Sequence, residues 1–390
     1  MTLNEEALEL HKKNRGKIQV TSKTEINDMH DLSIVYTPGV AEPCRKIKED
    51  ASRVYDYTTK GDMVAVVTDG SAVLGLGDIG PKAGLPVMEG KAVLFKHFAG
   101  IDAFPICIDS KDPDEIVRTV ELIAPSFGGI NLEDISAPRC FEIEERLKKS
   151  LDIPVMHDDQ HGTAVVVFSG VINALKVVGK KIEDIKIVMS GAGAAGTAIA
   201  NFLINAGAQD IICCDIDGIV YKGRKENSPA LEKLAEKTNK DLVKGTLSDA
   251  MKGRDLFIGV SAPGIVTKEM VKSMNSDAII FAMANPIPEI MPDEAKAAGA
   301  RIVATGRSDF PNQVNNCLGF PGIFKGALKV RASQINEEMK LAAAYALASL
   351  IPDEELNENN IIASALDPRI VDTESKAVVK AAIESGVARI

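Results

Sequence analysis

Two acidic pairs, Glu133-Asp134 and Asp158-Asp159, stand where an apolar run ends and the chain turns. Carboxylate oxygens suit hard divalent ions, and magnesium or manganese keeps positions open for a chelating substrate. The alternative is ordinary solvated acids, which are common on protein surfaces. If Asp158-Asp159 continues the preceding strand, successive side chains face opposite sides and only one reaches a given ion. Lys91 follows Glu89-Gly90 and precedes the apolar run Ala92-Val93-Leu94-Phe95. Desolvated beside apolar groups and a cation, such a lysine has its pKa lowered toward that of a usable base; exposed, it merely snorkels. Asn285, before Pro286, and Asn316, in Val314-Asn315-Asn316, each follow an apolar strand at its carboxyl end. Open parallel sheets place ligands there, and neutral amides suit a carboxylate or a nicotinamide carboxamide, with turn asparagines as the alternative.

A second constellation is a glycine loop. The β-branched run Ile185 to Met189 leads into Ser190-Gly191-Ala192-Gly193-Ala194-Ala195-Gly196, then into helix-forming Thr197 to Leu203. Gly191 permits a tight turn, Gly193 lets backbone amides approach a pyrophosphate, and Gly196 allows the helix to pack closely on its strand. Ala192, Ala194 and Ala195 complete the cradle. The next strand, Ile211 to Cys214, ends at Asp215, where an acid binds the adenosine ribose and favours NAD by repelling a 2′-phosphate. The order of strand, loop, helix, strand and acid points to a dinucleotide cofactor, NAD or NADP.

The elements that must hold these groups are those of an α/β protein. At 390 residues the chain exceeds what one core supports, so two domains are expected, 1–155 and 156–390. In the first, Met63 to Val67 and Phe104 to Ile108 read as strands. Asp112-Pro113-Asp114-Glu115 opens a helix running to about Ala124, Arg139 to Lys149 forms another, and Ile153 to Met156 a further strand. A helix starting at Gly162 leads into the second domain. There strands near residues 256–260, 278–283 and 300–304 alternate with helices, predicting a doubly wound parallel sheet of Rossmann type, and the tail from Phe320 reads as helix throughout.

A net charge of −10 without a dense basic patch argues against nucleic acid. The N-terminus lacks a basic region followed by an apolar core, and no uninterrupted apolar stretch reaches membrane-spanning length, so no membrane partner and a cytoplasmic location are expected. Cys44, Cys107, Cys140, Cys213, Cys214 and Cys317 show no metal-knuckle spacing and read as reduced thiols.

Taken together the motifs resemble the malic enzymes, specifically the short bacterial and archaeal type. The resemblance covers nearly the whole chain. It rests on Val35-Tyr36-Thr37-Pro38-Gly39-Val40, Val67-Thr68-Asp69-Gly70, Leu74-Gly75-Leu76-Gly77-Asp78, Gly84-Leu85-Pro86-Val87 leading to Gly90-Lys91, Asn131-Leu132-Glu133-Asp134, His157 to Ala164, the Gly191 loop and Ala284-Asn285-Pro286. It implies an N-terminal α/β malic domain before the nucleotide domain. Glu133, Asp134 and Asp159 would hold Mg2+ or Mn2+, with Asp158 close to the reacting groups. Lys91 would be the general base and Tyr36 the general acid, with Asn285 and Asn316 on malate.

The implied reaction is oxidative decarboxylation of (S)-malate to pyruvate and carbon dioxide with reduction of NAD or NADP, in a homodimer or higher homo-oligomer whose partner subunit can complete the site. The same scaffold can instead retain its cofactor and release lactate. A catalytically silent dinucleotide-binding module would need neither Tyr36 nor Lys91. Larger eukaryotic members carry a substrate-binding arginine just before the Leu-Gly-Leu-Gly-Asp run; here the stretch is Ser71-Ala72-Val73, and Arg45 is the substitute considered.

Overall fold

Short apolar runs separated by helices fold into two mainly parallel sheets. The computed structural model describes residues 2–73 and 75–390; Met1, and Leu74 of the Leu-Gly-Leu-Gly-Asp run, lie outside the described residues. The first sheet contains β1 (Met63–Thr68), β2 (Asp102–Cys107), β3 (Gly129–Leu132) and β4 (Val155–His157), all parallel in the order β2-β1-β3-β4. Val64, Ala65, Val66 and Val67 are all fully buried, so both faces of β1 are covered. That is why the strand reads as a continuous apolar run.

The second sheet contains β5 (Lys186–Ser190), β6 (Asp210–Asp215), β7 (Gly218–Ile219), β8 (Leu256–Gly259), β9 (Ile279–Ala282) and β10 (Ile302–Thr305). Its order is β10-β9-β8-β5-β6-β7, parallel except for β7. The chain leaves β5 toward β6 and later returns to β8 on the other side. A crevice therefore opens at the carboxyl ends of β5 and β8, the switch point where such sheets bind ligands.

The helix expected from Gly162 begins earlier, at Asp158, and runs to Val178. It is long and apolar enough by composition to cross a membrane, but most of it is buried here. Val165, Val166, Val167 and Phe168 share one hydrophobic cluster with Val64 and Val66 of the first sheet and Ile187 and Met189 of the second. One core thus joins the two halves.

The tail is not helical throughout. It forms helices Phe320–Lys329, Glu337–Ala348 and Ile370–Glu384, with an irregular stretch between the last two. Pro352 and Pro368 cannot donate to a helix ladder, and Asn357 and Asn360 bond the local backbone instead. The first tail helix packs over the N-terminal domain: the rings of Phe320 and Phe324 lie 4.7 Å and 5.4 Å from that of Phe95.

At the other end, helices Leu3–Asn14, Met29–Val35, Ala41–Glu49 and Val54–Tyr57 contain no buried residue. This arm is tied to the helix Gly80–Leu94 at Lys17, whose N–H donates to Glu89 Oε2 at 2.8 Å and whose Nζ donates to Pro86 O at 2.7 Å.

Candidate active site

Strand ends and one helix start bring the chemistry together. Glu133 and Asp134 follow β3, while Asp158 and Asp159 open the helix that follows β4. The acid pair does not continue the strand. The helical turn sends Asp158 toward Lys91 and Asp159 toward Asp134, so both serve one site. Lys91, on the Gly80–Leu94 helix, lies 2.6 Å from Asp158 Oδ2 and 2.8 Å from Glu133 Oε1. Its Nζ also sits 4.1 Å from the centroid of the Phe320 ring, a cation–π contact. Asn316 Nδ2 donates to Asp158 Oδ2 at 2.7 Å, and Asn131 Nδ2 to Glu133 Oε2 at 2.8 Å. The Asp134 N–H donates to Asp159 Oδ2 at 2.8 Å.

Glu133, Asp134 and Asp159 each offer an oxygen within 4.8 Å of the others. Asp134 Oδ2 is buried without a hydrogen-bond partner, as is Asp158 Oδ1. Buried, under-satisfied carboxylates are costly unless a cation compensates them, and an all-oxygen set fits Mg2+ or Mn2+. Burial, reinforced by Asp159, pushes the Asp134 carboxyl up to about 7, and burial also raises Glu133 and Asp158. Lys91 departs from the lowered pKa expected of it. Burial pulls its ammonium down, but Asp158 and Glu133 outweigh burial and hold it above its ordinary value.

The nearest atoms to a Cβ added at Gly75 are Asn285 O and Pro286 Cδ, at 3.8 Å and 3.9 Å. The glycine run of the first domain therefore abuts the Asn285 turn of the second. Asn285 has no hydrogen bond to the carboxylates; its Nδ2 lies 3.5 Å from Met283 O. Tyr36 is 68% exposed and its hydroxyl makes no hydrogen bond among the described residues, so this chain does not bring it to Lys91.

The nucleotide loop is built as its glycines require. Gly191 has φ +100°, and a Cβ there would lie 2.6 Å from Val260 O. At Gly196 a Cβ would lie 1.7 Å from Gly191 O, whereas at Gly193 it would meet nothing within 4 Å. Gly193 therefore faces open space, at the start of helix Ala194–Asn205, which has no side-chain cap and leaves amides for an anion. Asp215 ends β6, but Arg224 grips both its oxygens, Nη1 bonding Oδ1 at 2.8 Å and Nη2 bonding Oδ2. Arg224 is itself buried, and its Nε donates to Asn227 Oδ1. The acid is thus neutralised by a partner, which weakens the repulsion of a 2′-phosphate assumed for a free carboxylate.

Residues 13–148 match the malic enzyme N-terminal domain and residues 160–383 the malic enzyme NAD binding domain. The chain belongs to the malic enzyme family. It is 60% identical over 391 residues to the bifunctional malic/malolactic enzyme of Bacillus subtilis, covering 100% of this chain and 95% of that one. It is 59% identical to the NAD-dependent malic enzyme of Geobacillus stearothermophilus, covering 96% and 78% respectively. The crystal structure of malic enzyme from Pyrococcus horikoshii superposes with a TM-score of 0.96 at 51% identity, covering 100% of this chain and 92% of that one. Relatives named as NAD-dependent and as NADP-dependent malic enzymes both align with the chain.

Within this malic enzyme fold, Arg45 stays outside the site; it is exposed and pairs with Glu42 on its own helix. Arg139 instead brings a guanidinium to the stretch that lacks an arginine, its Nη2 donating to Asp69 Oδ2 at 2.8 Å and to Ser71 Oγ at 3.0 Å. Phe320, Asn131, Arg139 and Arg224 were not singled out from sequence. Only Arg224, close after Asp215 and opposite it in charge, carried a local signal.

The close contact at Gly196 has a measurable consequence. Gly196→Ala forces a methyl into the Gly191 carbonyl, and backbone on both sides cannot yield. NADH affinity is expected to fall at least about tenfold, or 1.4 kcal/mol, in a fluorescence titration. An affinity within about twofold of the parent would show that the loop tolerates a wider helix–strand spacing.

Proposed function

We propose that the chain oxidatively decarboxylates (S)-malate to pyruvate and carbon dioxide with reduction of NAD or NADP. The observation that carries this is the convergence of Lys91 on Asp158 and Glu133 beside the Glu133–Asp134–Asp159 carboxylates. Glu133, Asp134 and Asp159 would hold a Mg2+ or Mn2+ ion, which would supply Lewis acidity toward malate, and a dinucleotide at the Gly191 loop would supply the hydride acceptor. Glu133 and Asp158 favour the Lys91 ammonium; a divalent cation held by Glu133, Asp134 and Asp159 would weaken that bias, and Lys91, once it has released its proton to solvent, would accept the C2 hydroxyl proton. Asp158 holds Lys91 in place and is itself fixed by Asn316. Asn285 and Asn316 orient the malate carboxylates. Gly191 to Gly196 cradle the pyrophosphate.

Tyr36 returns a proton to C3 of the enol left by decarboxylation. Its exposure supports a role across an interface, with the N-terminal arm of one protomer on the site of its partner. Leu3, Leu8, Val20, Met29 and Ile34 on that arm are exposed, as expected of a surface that a second copy covers. The assembly is accordingly a homodimer or a higher homo-oligomer. Six free cysteines suit a reducing compartment, and we place the protein in the cytoplasm.

The test is malate-dependent reduction of NAD and of NADP, separately, with Mn2+ present or chelated, following pyruvate and carbon dioxide. Pyruvate and reduced cofactor in equal amounts, lost on chelation, are expected. Lactate without net cofactor reduction would instead assign the malolactic reaction that the name of the Bacillus subtilis relative includes. Absence of turnover with either nucleotide overturns the proposal, and a monomeric mass by light scattering overturns the shared site.

A further inference from the structure

Buried Glu144 and Lys340, with the partly exposed His161 between them, form a continuous line into the site from outside the reaction described above. Glu144 lies on helix Arg139–Ser150, His161 on helix Asp158–Val178 and Lys340 on helix Glu337–Ala348. Lys340 Nζ lies 3.0 Å from His161 Nδ1, and His161 Nε2 lies 2.9 Å from Glu144 Oε2. Lysine has only donors, so His161 Nδ1 must accept and its one proton sits on Nε2, pointing at Glu144. The other oxygen, Glu144 Oε1, accepts the His157 N–H at 3.0 Å and pairs with Lys148 Nζ at 2.8 Å. At the outer end Lys340 also bonds Glu337.

The inner end is what matters. His157 is the last residue of β4 and directly precedes Asp158 and Asp159. It caps their helix without a side-chain cap bond, so no local side chain pins the first turn that carries both acids. Glu144 pins it from another helix. Apolar packing of equal volume commonly stabilises a fold as well as buried charges do, but it is not directional. A line of directed bonds fixes orientation, and the orientation it fixes is that of Asp158 and Asp159 against Lys91 and Glu133.

We propose that Lys340, His161 and Glu144 are positioning residues for the divalent-metal site, locking the start of the Asp158–Val178 helix from the C-terminal helices. This rests on the assignment of Glu133, Asp134 and Asp159 as metal ligands, and it adds that a helix far along the chain sets their geometry.

Mn2+ binding to the full chain, followed by electron paramagnetic resonance without substrate, tests it, with NADH binding as the control. His161→Leu is expected to weaken Mn2+ about 10- to 100-fold, the range for removal of groups that orient metal ligands. NADH affinity should be unchanged, because the nucleotide loop follows β5 and makes no bond to this line. His161→Gln, whose amide offers one acceptor and one donor, should recover Mn2+ affinity to within about threefold. Lys340→Met tests the line from its outer end and should shift Mn2+ in the same direction as His161→Leu. A purely structural role would lower the melting temperature of these variants without moving Mn2+ affinity.

Mn2+ affinity within about twofold of the parent in His161→Leu or Lys340→Met, with NADH binding retained, overturns the proposal. If His161→Leu does not fold, Lys340→Met and His161→Gln decide by the same readouts. Failure of the parent chain to bind Mn2+ overturns the metal assignment along with it, whereas normal parent binding and unmoved variants overturn the positioning role alone.

Discussion

Lys91→Met is expected to lower kcat for malate oxidation by about 10²- to 10⁴-fold in saturating Mn2+, the contribution typical of a placed acid–base group. Methionine keeps the unbranched stem against Phe320 and removes only the ammonium that meets Asp158 and Glu133. Without a bound divalent ion, the substitution leaves those carboxylates buried with no cation. Breaking a buried pair costs about 3–5 kcal/mol, so the variant should be markedly less stable in EDTA and recover on adding Mn2+. Oxaloacetate supplies the internal contrast. It has no C2 hydroxyl proton to give up, so its decarboxylation by Lys91→Met should suffer less than malate oxidation does. A variant that oxidises malate at more than about one-tenth of the parent rate in saturating Mn2+ would rule out Lys91 as the base.

The pieces legible in sequence were those whose chemistry is local. Gly191 and Gly196 declare a strand–loop–helix because each removes a specific clash, while Gly193 leaves open space at the start of the helix. Val64 to Val67 and Ile187 to Met189 read as strands because parallel sheets bury both faces. Carboxylate type and position singled out the pairs Glu133-Asp134 and Asp158-Asp159, and the family resemblance alone picked Glu133, Asp134 and Asp159 from them. Their convergence was not legible, because it depends on two strand ends lying side by side and on Asp158 starting a helix rather than ending a strand.

Pairings across the chain were equally hidden. The Arg224 grip on Asp215, the Phe320 ring under Lys91 and the Lys340–His161 contact each join separate elements, and no periodicity encodes them. The pKa expected of Lys91 differed for the same reason. Its environment is set by carboxylates arriving from β3 and from the Asp158 helix, not by the apolar residues beside it in sequence. The alanine-rich segments of the tail suggest continuous helix, but Pro352 and Pro368 mark the irregular stretch.

Removal of the divalent ion proposed for this site should have a pH signature that reports the acidic cluster directly. Burial and Asp159 push the Asp134 carboxyl up to about 7, against about 3.9 in an unfolded chain. The folded protein then binds this proton more tightly than the unfolded one, so between about pH 4 and pH 7 stability in EDTA falls as pH rises. For Asp134 alone the loss is bounded at about 4 kcal/mol, from roughly three units at 1.36 kcal/mol each. Mn2+ acts oppositely, because it binds deprotonated carboxylates and its affinity rises through the same window. At a free concentration about 100 times its Kd it adds about 2.7 kcal/mol. The difference in melting temperature between Mn2+-loaded and EDTA-treated protein should therefore widen steadily from about pH 5 to pH 8. Asp134→Asn carries no titrating proton and a poorer ligand oxygen, so it should make the EDTA profile shallower, with Glu133 and Asp158 still raised by burial, and remove most of the Mn2+ response. A gap that does not change with pH in the parent, or one that survives intact in Asp134→Asn, would place the ion elsewhere than on Glu133, Asp134 and Asp159.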